Sequence, residues 1–368
     1  MRISMESLKG YLLEEALVYL IRRTGYNLLV DQSQDTRELT NRGNGLNVIG
    51  RGGVHQADVL GQLSWIPAFT FPIRLFVEAK CRSNPVGIGE VRSAVGIVDD
   101  LNQNYFPMNA DRKNNEQKIL LKRYNYHYAI FSTSGFSKNA VAMALAHRIS
   151  LIDLSGPDFH FLISVIEQTA EHIYHLITAS NQEVAFSGIA GSSSRPRYLK
   201  QLRQFIRRNL DTWPSDIWLS NPEMDRNEPN LFSTSLENYL NAVREYGELF
   251  VGMANGPFLL VLKADDPNRF IMYSSESPTH QVSITWNPEI NDGRQWSVFP
   301  TGSTSYRLTF TLPKALSDFI FNSDNPITQA VRAKRNYLSS ITVYRSIEKQ
   351  DQIYKLLYEP SDSSRNII

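Results

Sequence analysis

Phe71-Pro-Ile-Arg-Leu-Phe-Val-Glu-Ala-Lys80 is an apolar run that ends in two opposite charges. Ile73, Leu75, Val77 and Ala79 are apolar at every second position, and with Phe76 the run is rich in strand-favouring residue types. A strand sends alternate side chains to opposite faces, so Glu78 and Lys80 project together with Phe76, away from Leu75, Val77 and Ala79. A Glu-x-Lys pair by itself means little: with each residue at roughly 6%, chance supplies about one in a chain of this length. A second pair, Glu116 and Lys118, lies in the polar run Asp111 to Lys118, which reads as a loop or an exposed helix start.

The company of the first pair sets it apart. Upstream, Gly50-Arg-Gly-Gly-Val-His-Gln-Ala-Asp58-Val-Leu-Gly61 reads as a glycine-rich turn followed by a strand that carries one acid. Pairing that strand with the one ending at Lys80 brings Asp58 beside Glu78. Two adjacent carboxylates repel unless a cation lies between them. Oxygen ligands of this kind suit Mg²⁺, with Mn²⁺ an alternative, and Mg²⁺ is commonly held by one or two carboxylates, waters and substrate phosphates. Lys80 then aims a positive charge at the same place, where it can hold the attacking water or a phosphate.

These residues resemble the PD-(D/E)xK nucleases, in particular the Mrr-like restriction endonucleases. Tyr126-His-Tyr-Ala-Ile-Phe-Ser-Thr-Ser-Gly-Phe-Ser-Lys-Asn-Ala140, Ala144 to His147 and Ile149-Ser-Leu-Ile-Asp153 are similar to the strand, Ser-Gly-Phe turn, helix and final strand that close that catalytic domain. The likeness spans residues 6 to about 156. Ala57 stands where the family has a proline before its first acid. The resemblance implies a mixed restriction-endonuclease-like α/β sheet flanked by helices. It also implies catalytic Asp58, Glu78 and Lys80, and an N-terminal helix acid, matched here by Glu14, that helps position water. The backbone carbonyl of Ala79 joins Asp58 and Glu78 as a metal ligand in this reading.

Leu8 to Arg23 reads as that helix, with Leu13, Leu17, Leu20 and Ile21 at helical spacing. Glu14 falls at the margin of the apolar stripe, and Glu15 on the side expected to be wetter. Tyr26 to Val30 is a short strand, and Asp31 to Val48 reads as a loop. His55 and Gln56, just before Asp58, and Arg82, just after Lys80, are candidate contacts to nucleic acid, although His55 also suits a turn-stabilising role. Trp65, Phe69 and Phe71, in the apolar connection between the two acidic strands, could stack on bases but more often pack on their own domain. Further on come a helix at Glu90 to Asn102, a strand at His127 to Phe131, a helix at Ser137 to Arg148 with Ser134 and Ser137 suited to capping it, and a strand at Ile149 to Leu154. Strands separated by helices favour a mainly parallel sheet.

A chain of 368 residues accommodates two ordinary domains. The division expected is a nuclease-like domain over 1–180, a Gly/Ser linker over 181–197 and a separate α+β domain over 198–368. Helices are expected at Tyr198 to Leu210, Leu236 to Tyr246, Pro313 to Phe321 and Pro326 to Tyr337. Strands are expected at Leu249 to Met253, Phe258 to Ala264, Phe270 to Ser274, Gln281 to Trp286 and Tyr306 to Leu312. The net charge of +1 conceals an asymmetry: residues 1–156 hold 18 Lys and Arg against 14 Asp and Glu, the remainder 20 against 23. The basic excess permits phosphate binding by the first half without requiring it. One cysteine, Cys81, excludes an intramolecular disulfide and a thiolate metal cluster. No signal-like start or membrane-length apolar run is present, so the expected location is cytoplasmic.

The expected function is a Mg²⁺-dependent endonuclease on DNA, in restriction or antiphage defence. The second domain is expected to recognise a target or a protein partner, or to form a homo-oligomer. The alternatives are a nuclease-fold nucleic-acid-binding or assembly module without activity, and a repair or junction-resolving nuclease.

Overall fold

Ser4 opens the first helix, its hydroxyl accepting the Ser7 amide at 3.1 Å, and α1 runs from Met5 to Arg23. The computed structural model describes residues 4–42, 45–65, 70–109, 118–179, 229–246, 250–254, 259–286, 295–312, 317–318, 325–347 and 350–358. At the other end of α1, Thr24 donates its hydroxyl to the Ile21 carbonyl at 2.8 Å, and the chain turns through Gly25, whose φ of +82° suits glycine.

The protein is a mixed α/β structure. Its first sheet has five strands: β1 (Tyr26–Leu28), β5 (Val59–Leu63), β6 (Ile73–Lys80), β9 (Asn125–Ser132) and β10 (Ser150–Asp153), in that spatial order. The pairs β1–β5 and β5–β6 are antiparallel, and the pairs β6–β9 and β9–β10 are parallel. The sheet is therefore less parallel than the alternation of strands and helices suggests. β5 and β6 are consecutive in the chain and pair antiparallel, which needs no crossover helix.

Residues of alternate parity on β6 enter different cores. Leu75 and Val77 pack with α1, with α4 (His160–Ala179) and with α5 (Pro229–Tyr246), whereas Phe76 packs with α2 (Ile88–Asn102) and α3 (Lys138–His147). On α3 the expected cap at Ser137 is present, accepting the Ala140 amide at 3.3 Å. Ser134 instead donates to the carbonyl of Asn84 at 2.6 Å.

Three expectations are corrected. Asp31 to Val48 is not a loop: it contains a 3-10 turn (Gln32–Gln34), β2 (Leu39–Arg42) and β3 (Gly45–Ile49), which with β4 (Val54–Gln56) form a three-stranded sheet. Two of the acids in this segment, Asp35 and Glu38, point into a buried ionic cluster rather than into an apolar core. Glu15 is not on a wetter side but fully buried, because α4 and α5 cover the flank of α1 that a lone amphipathic helix would expose. Phe270 to Ser274 is not a strand; it lies in α6 (Pro267–Glu276), where Asp266 accepts the amides of Asn268 and Arg269 and Pro267 occupies the first turn.

Lys118 opens β8 (Lys118–Leu121), which pairs with β7 (Phe106–Asn109); residues 110–117 lie outside the described ones. The second half of the chain closes a seven-stranded barrel: β11 (Phe250–Ala254), β12 (Leu259–Ala264), β15 (Leu308–Thr311), β14 (Gln295–Pro300), β13 (Thr279–Trp286), β17 (Gln350–Tyr358) and β16 (Ser340–Ile347). Its buried residues include Val282, Ile284, Trp296, Val298, Leu308, Phe310, Ile341, Val343 and Leu356, the alternating inward set that a small barrel needs. β14, β16 and β17 were not anticipated. α7 (Pro326–Tyr337) matches its expected range.

The expected linker 181–197 and the helix at Tyr198 to Leu210 lie outside the described residues. α5, which follows them in sequence, packs on α4 and α1, and the buried Tyr239 hydroxyl donates to the Leu12 carbonyl at 2.5 Å. The Ser64 hydroxyl donates to Asp351 at 2.8 Å, and the Gln295 amide to Asp158 at 3.0 Å, so the barrel is tied to the first half of the chain at two further points.

Candidate active site

The register Val59↔Val77 places Asp58, one residue before β5, across from Glu78. An Asp58 carboxylate oxygen accepts the amide of Ala79 at 2.9 Å, so this acid is pinned to the residue between Glu78 and Lys80. As the alternation predicts, Glu78 and Lys80 project together, and the Lys80 ammonium pairs with one Glu78 oxygen. The other Glu78 oxygen accepts the phenol of Tyr128, from the neighbouring strand β9. Asp58, Glu78 and Lys80 are thus brought together at one strand end. The Glu78 and Lys80 side chains are each 27% exposed, open enough to meet a solute.

Tyr128 was not foreseen as part of this group. It is buried, opposite Phe76 in the parallel register, and the two rings stack with centroids 4.9 Å apart. Burial first, and then the negative charges of Glu78 and Asp58, push its phenol well above the ordinary tyrosine range. The phenol therefore stays protonated and able to donate. The sequence signal was present in the parity of β9: an aromatic with a polar tip, beside the site strand, on the same face as Glu78.

Glu14 is half-buried on α1, the helix that covers the Leu75 and Val77 face of β6, whereas Glu78 and Lys80 project from the other face. His55 serves the turn: its Nε2 lies 2.8 Å from Asp100, and the same carboxylate accepts the amides of Gly52 and Gly53 at 2.7 and 3.2 Å. A Cβ on Gly50 would fall 1.9 Å from that carboxylate, so the turn closes on Asp100 only with glycine there. Burial works against the charge on Asp100, but the bonds from His55 and the glycine amides outweigh it and hold its pKa down. Gln56 is exposed on β4, in register with Asn47. Arg82 donates to Glu90 at 2.6 Å, which lowers the Glu90 pKa, while Glu90 also accepts the Gly87 amide at the start of α2. The residue read as a phosphate contact is thus joined to one read as a helix-surface acid.

Among the described residues no cluster of three His, Cys, Asp or Glu is placed to hold a metal ion. A cation at this site would have two carboxylates and the neighbouring backbone as its protein ligands. That all-oxygen, ligand-poor set fits Mg²⁺, which keeps most of its waters, and does not fit a structural zinc centre.

A second charged group was also missed. Arg74, on the same face of β6, donates to Asp35 at 2.7 Å, to Glu38 at 3.3 Å, to the Tyr126 hydroxyl at 3.0 Å and to Gln62 at 3.2 Å. Its guanidinium lies 3.4 Å from the centroid of the Tyr124 ring, and Arg123 adds a bond to Asp35 at 2.9 Å.

The chain matches no protein-family model, no curated protein and no solved structure. No helix among the described residues is long and apolar enough to cross a membrane.

Proposed function

We propose that this chain is a metal-dependent nuclease, an endonuclease on double-stranded DNA with a restriction-endonuclease-like first domain of Mrr-like type, working in restriction or antiphage defence. The observation that carries the reading is the convergence of Asp58, Glu78 and Lys80 at one partly exposed strand end, with the Ala79 amide binding Asp58. In this reading Asp58, Glu78 and the Ala79 carbonyl would hold Mg²⁺ or Mn²⁺. The bound ion supplies positive charge to the phosphate as its ester bond breaks. Lys80 orients the attacking water, and its ammonium offsets charge gathering on the phosphate oxygens. Glu14, on α1, is the acid this reading assigns to ordering water at the edge of the site. The barrel is assigned to recognition of a DNA target or a protein partner.

The specific observation in favour of a binding module without activity is that both Glu78 oxygens already have protein partners. Incubating the purified chain with supercoiled plasmid, with Mg²⁺ and with chelator, separates the two. Nicking or linearisation that the chelator abolishes, and that Asp58→Ala removes, supports the nuclease. DNA retention in a gel-shift assay, without cleavage under Mg²⁺ or Mn²⁺, assigns the chain to binding alone.

A further inference from the structure

We propose that Tyr128 is a positioning residue for the metal site, its phenol fixing the Glu78 carboxylate in the orientation that accepts a divalent cation. The inference rests on the nuclease reading above and deepens it. Glu78 has two carboxylate oxygens and two partners, the Lys80 ammonium on one and the Tyr128 hydroxyl on the other. The two partners differ in stiffness. Lys80 sits at the end of a flexible four-carbon stem and can swing away toward a phosphate. Tyr128 cannot swing: its ring is buried and stacked on Phe76, its direct partner in the β6–β9 register.

The rigid partner therefore determines where the carboxylate points when the flexible one leaves. A carboxylate oxygen that accepts one hydrogen bond retains lone-pair capacity for a cation. Ligating carboxylates are commonly held by such outer bonds, whose loss typically costs roughly 10- to 100-fold in metal affinity or activity. Asp58 needs no such help, since the Ala79 amide already holds it at 2.9 Å. The two acids are thus oriented by different means, one by backbone and one by a stacked phenol. Without the phenol, Glu78 is left to Lys80 alone and is drawn into a closed ion pair that competes with the cation.

The test is Tyr128→Phe in the full chain, which keeps the ring on Phe76 and removes only the donor. Mn²⁺ binding is measured by loss of the free-ion paramagnetic resonance signal, alongside plasmid cleavage across a Mg²⁺ series. Mn²⁺ is expected to bind roughly tenfold more weakly. The Mg²⁺ concentration for half-maximal cleavage should rise in step, while the rate at saturating Mg²⁺ stays within about threefold. A merely structural role would lower the folded fraction without shifting the metal midpoint. Should Tyr128→Phe not fold, Phe76→Leu keeps the hydroxyl but loosens its ring, and the midpoint should move in the same direction. Equal Mn²⁺ affinity in wild type and folded variant overturns the assignment of Tyr128 and leaves the nuclease reading standing. Failure of the wild type itself to bind Mn²⁺ or to cleave overturns both.

Discussion

The two ends of β6 carry charges on the same face and use them in opposite ways. Arg74 is 1% exposed, with two acids, a phenol, an amide and an aromatic face around its guanidinium, whereas Glu78 and Lys80, four and six residues further on, are each 27% exposed with sparse company. Burying an ion costs several kcal/mol, which only close, well-directed partners can offset. At the Arg74 end every charge is met, so nothing is left to act on a solute. At the Lys80 end the pairs are few and water is near, so the charges can be exchanged for a cation and a phosphate. Saturation makes a clamp; partial saturation leaves a site.

The largest effect should come from breaking the clamp. Arg74→Ala leaves Asp35 and Glu38 buried with Arg123 as their remaining cation among the described residues, and is expected to destabilise the fold by about 3–5 kcal/mol. Thermal or urea unfolding measures it. The complementary experiment at the other end is Lys80→Ala, which should leave unfolding nearly unchanged and lower the cleavage rate by about 10²–10³-fold. If the two substitutions instead gave the same mixture of lost stability and lost rate, the division of the strand into clamp and site would be wrong.

How much of this the sequence disclosed follows the same division. The site was legible because its signals are local: a two-residue period along β6, a Glu-x-Lys spacing and a glycine-rich turn before Asp58. The clamp was not, because Asp35, Glu38, Arg74 and Arg123 come from four separated segments and each looks like a surface charge on its own. Their convergence turns a polar stretch into an ordered hairpin, so the loop expected over Asp31 to Val48 failed for the reason that the cluster was missed. Tyr128 was hidden differently, as an ordinary strand aromatic whose hydroxyl matters only once β9 is known to lie beside β6. Burial of Glu15 was invisible because α5, remote in sequence, supplies the cover. In the second half, local signals located the start of the barrel but not its closure. β13 pairs in parallel with β17, far along the chain, and no periodicity announces such a pairing. The helix α6 was misread because Phe270, Ile271 and Tyr273 favour strands, while Asp266 and Pro267 ahead of them are a helix start.

A smaller effect distinguishes the two acids inside the clamp. Burial opposes ionisation of both, but Asp35 lies close to two arginines, at 2.7 and 2.9 Å, and its pKa is held below the ordinary value. Glu38 is farther from both, at 3.3 and 3.7 Å, and there burial prevails and raises its pKa. A depressed folded-state pKa stabilises the protein above the unfolded value, and the contribution is lost as pH falls through the folded one. A raised one works the other way, so protonating Glu38 should not itself unfold the protein. Asp35→Asn is therefore expected to cost about 1.5–3 kcal/mol at neutral pH, the range for a hydrogen bond to a charged group. Relative to wild type, it should also flatten the loss of stability below about pH 4, near the unfolded Asp value. Melting temperatures of both proteins between pH 7 and pH 3 test this. Parallel curves would mean that the Asp35 carboxylate does not carry the acid sensitivity of the clamp.

The smallest effect is expected from Arg82, which is more exposed than the charges at either end of β6. Its side chain is 36% exposed and its partner Glu90 32%. Such a pair contributes under about 1 kcal/mol to stability, since solvent screens it. Its guanidinium is also engaged, so a phosphate must compete with Glu90 for it, and the net gain from one contact is reduced. Arg82→Ala should therefore weaken DNA binding slightly and lower cleavage less than about threefold, far short of Lys80→Ala. Glu90→Gln is the sharper experiment. It releases Arg82 from its carboxylate and retains an amide that can still accept the Gly87 hydrogen bond at the start of α2. If Arg82 is restrained by Glu90, the Glu90→Gln protein should bind DNA more tightly than wild type, with a steeper salt dependence, as expected when one more cation becomes available to phosphate. Gel-shift titrations across a salt series read both quantities. A large loss of binding in Arg82→Ala, with no gain in Glu90→Gln, would place Arg82 in direct contact with the DNA and move the boundary of the open site one residue beyond Lys80 and Cys81.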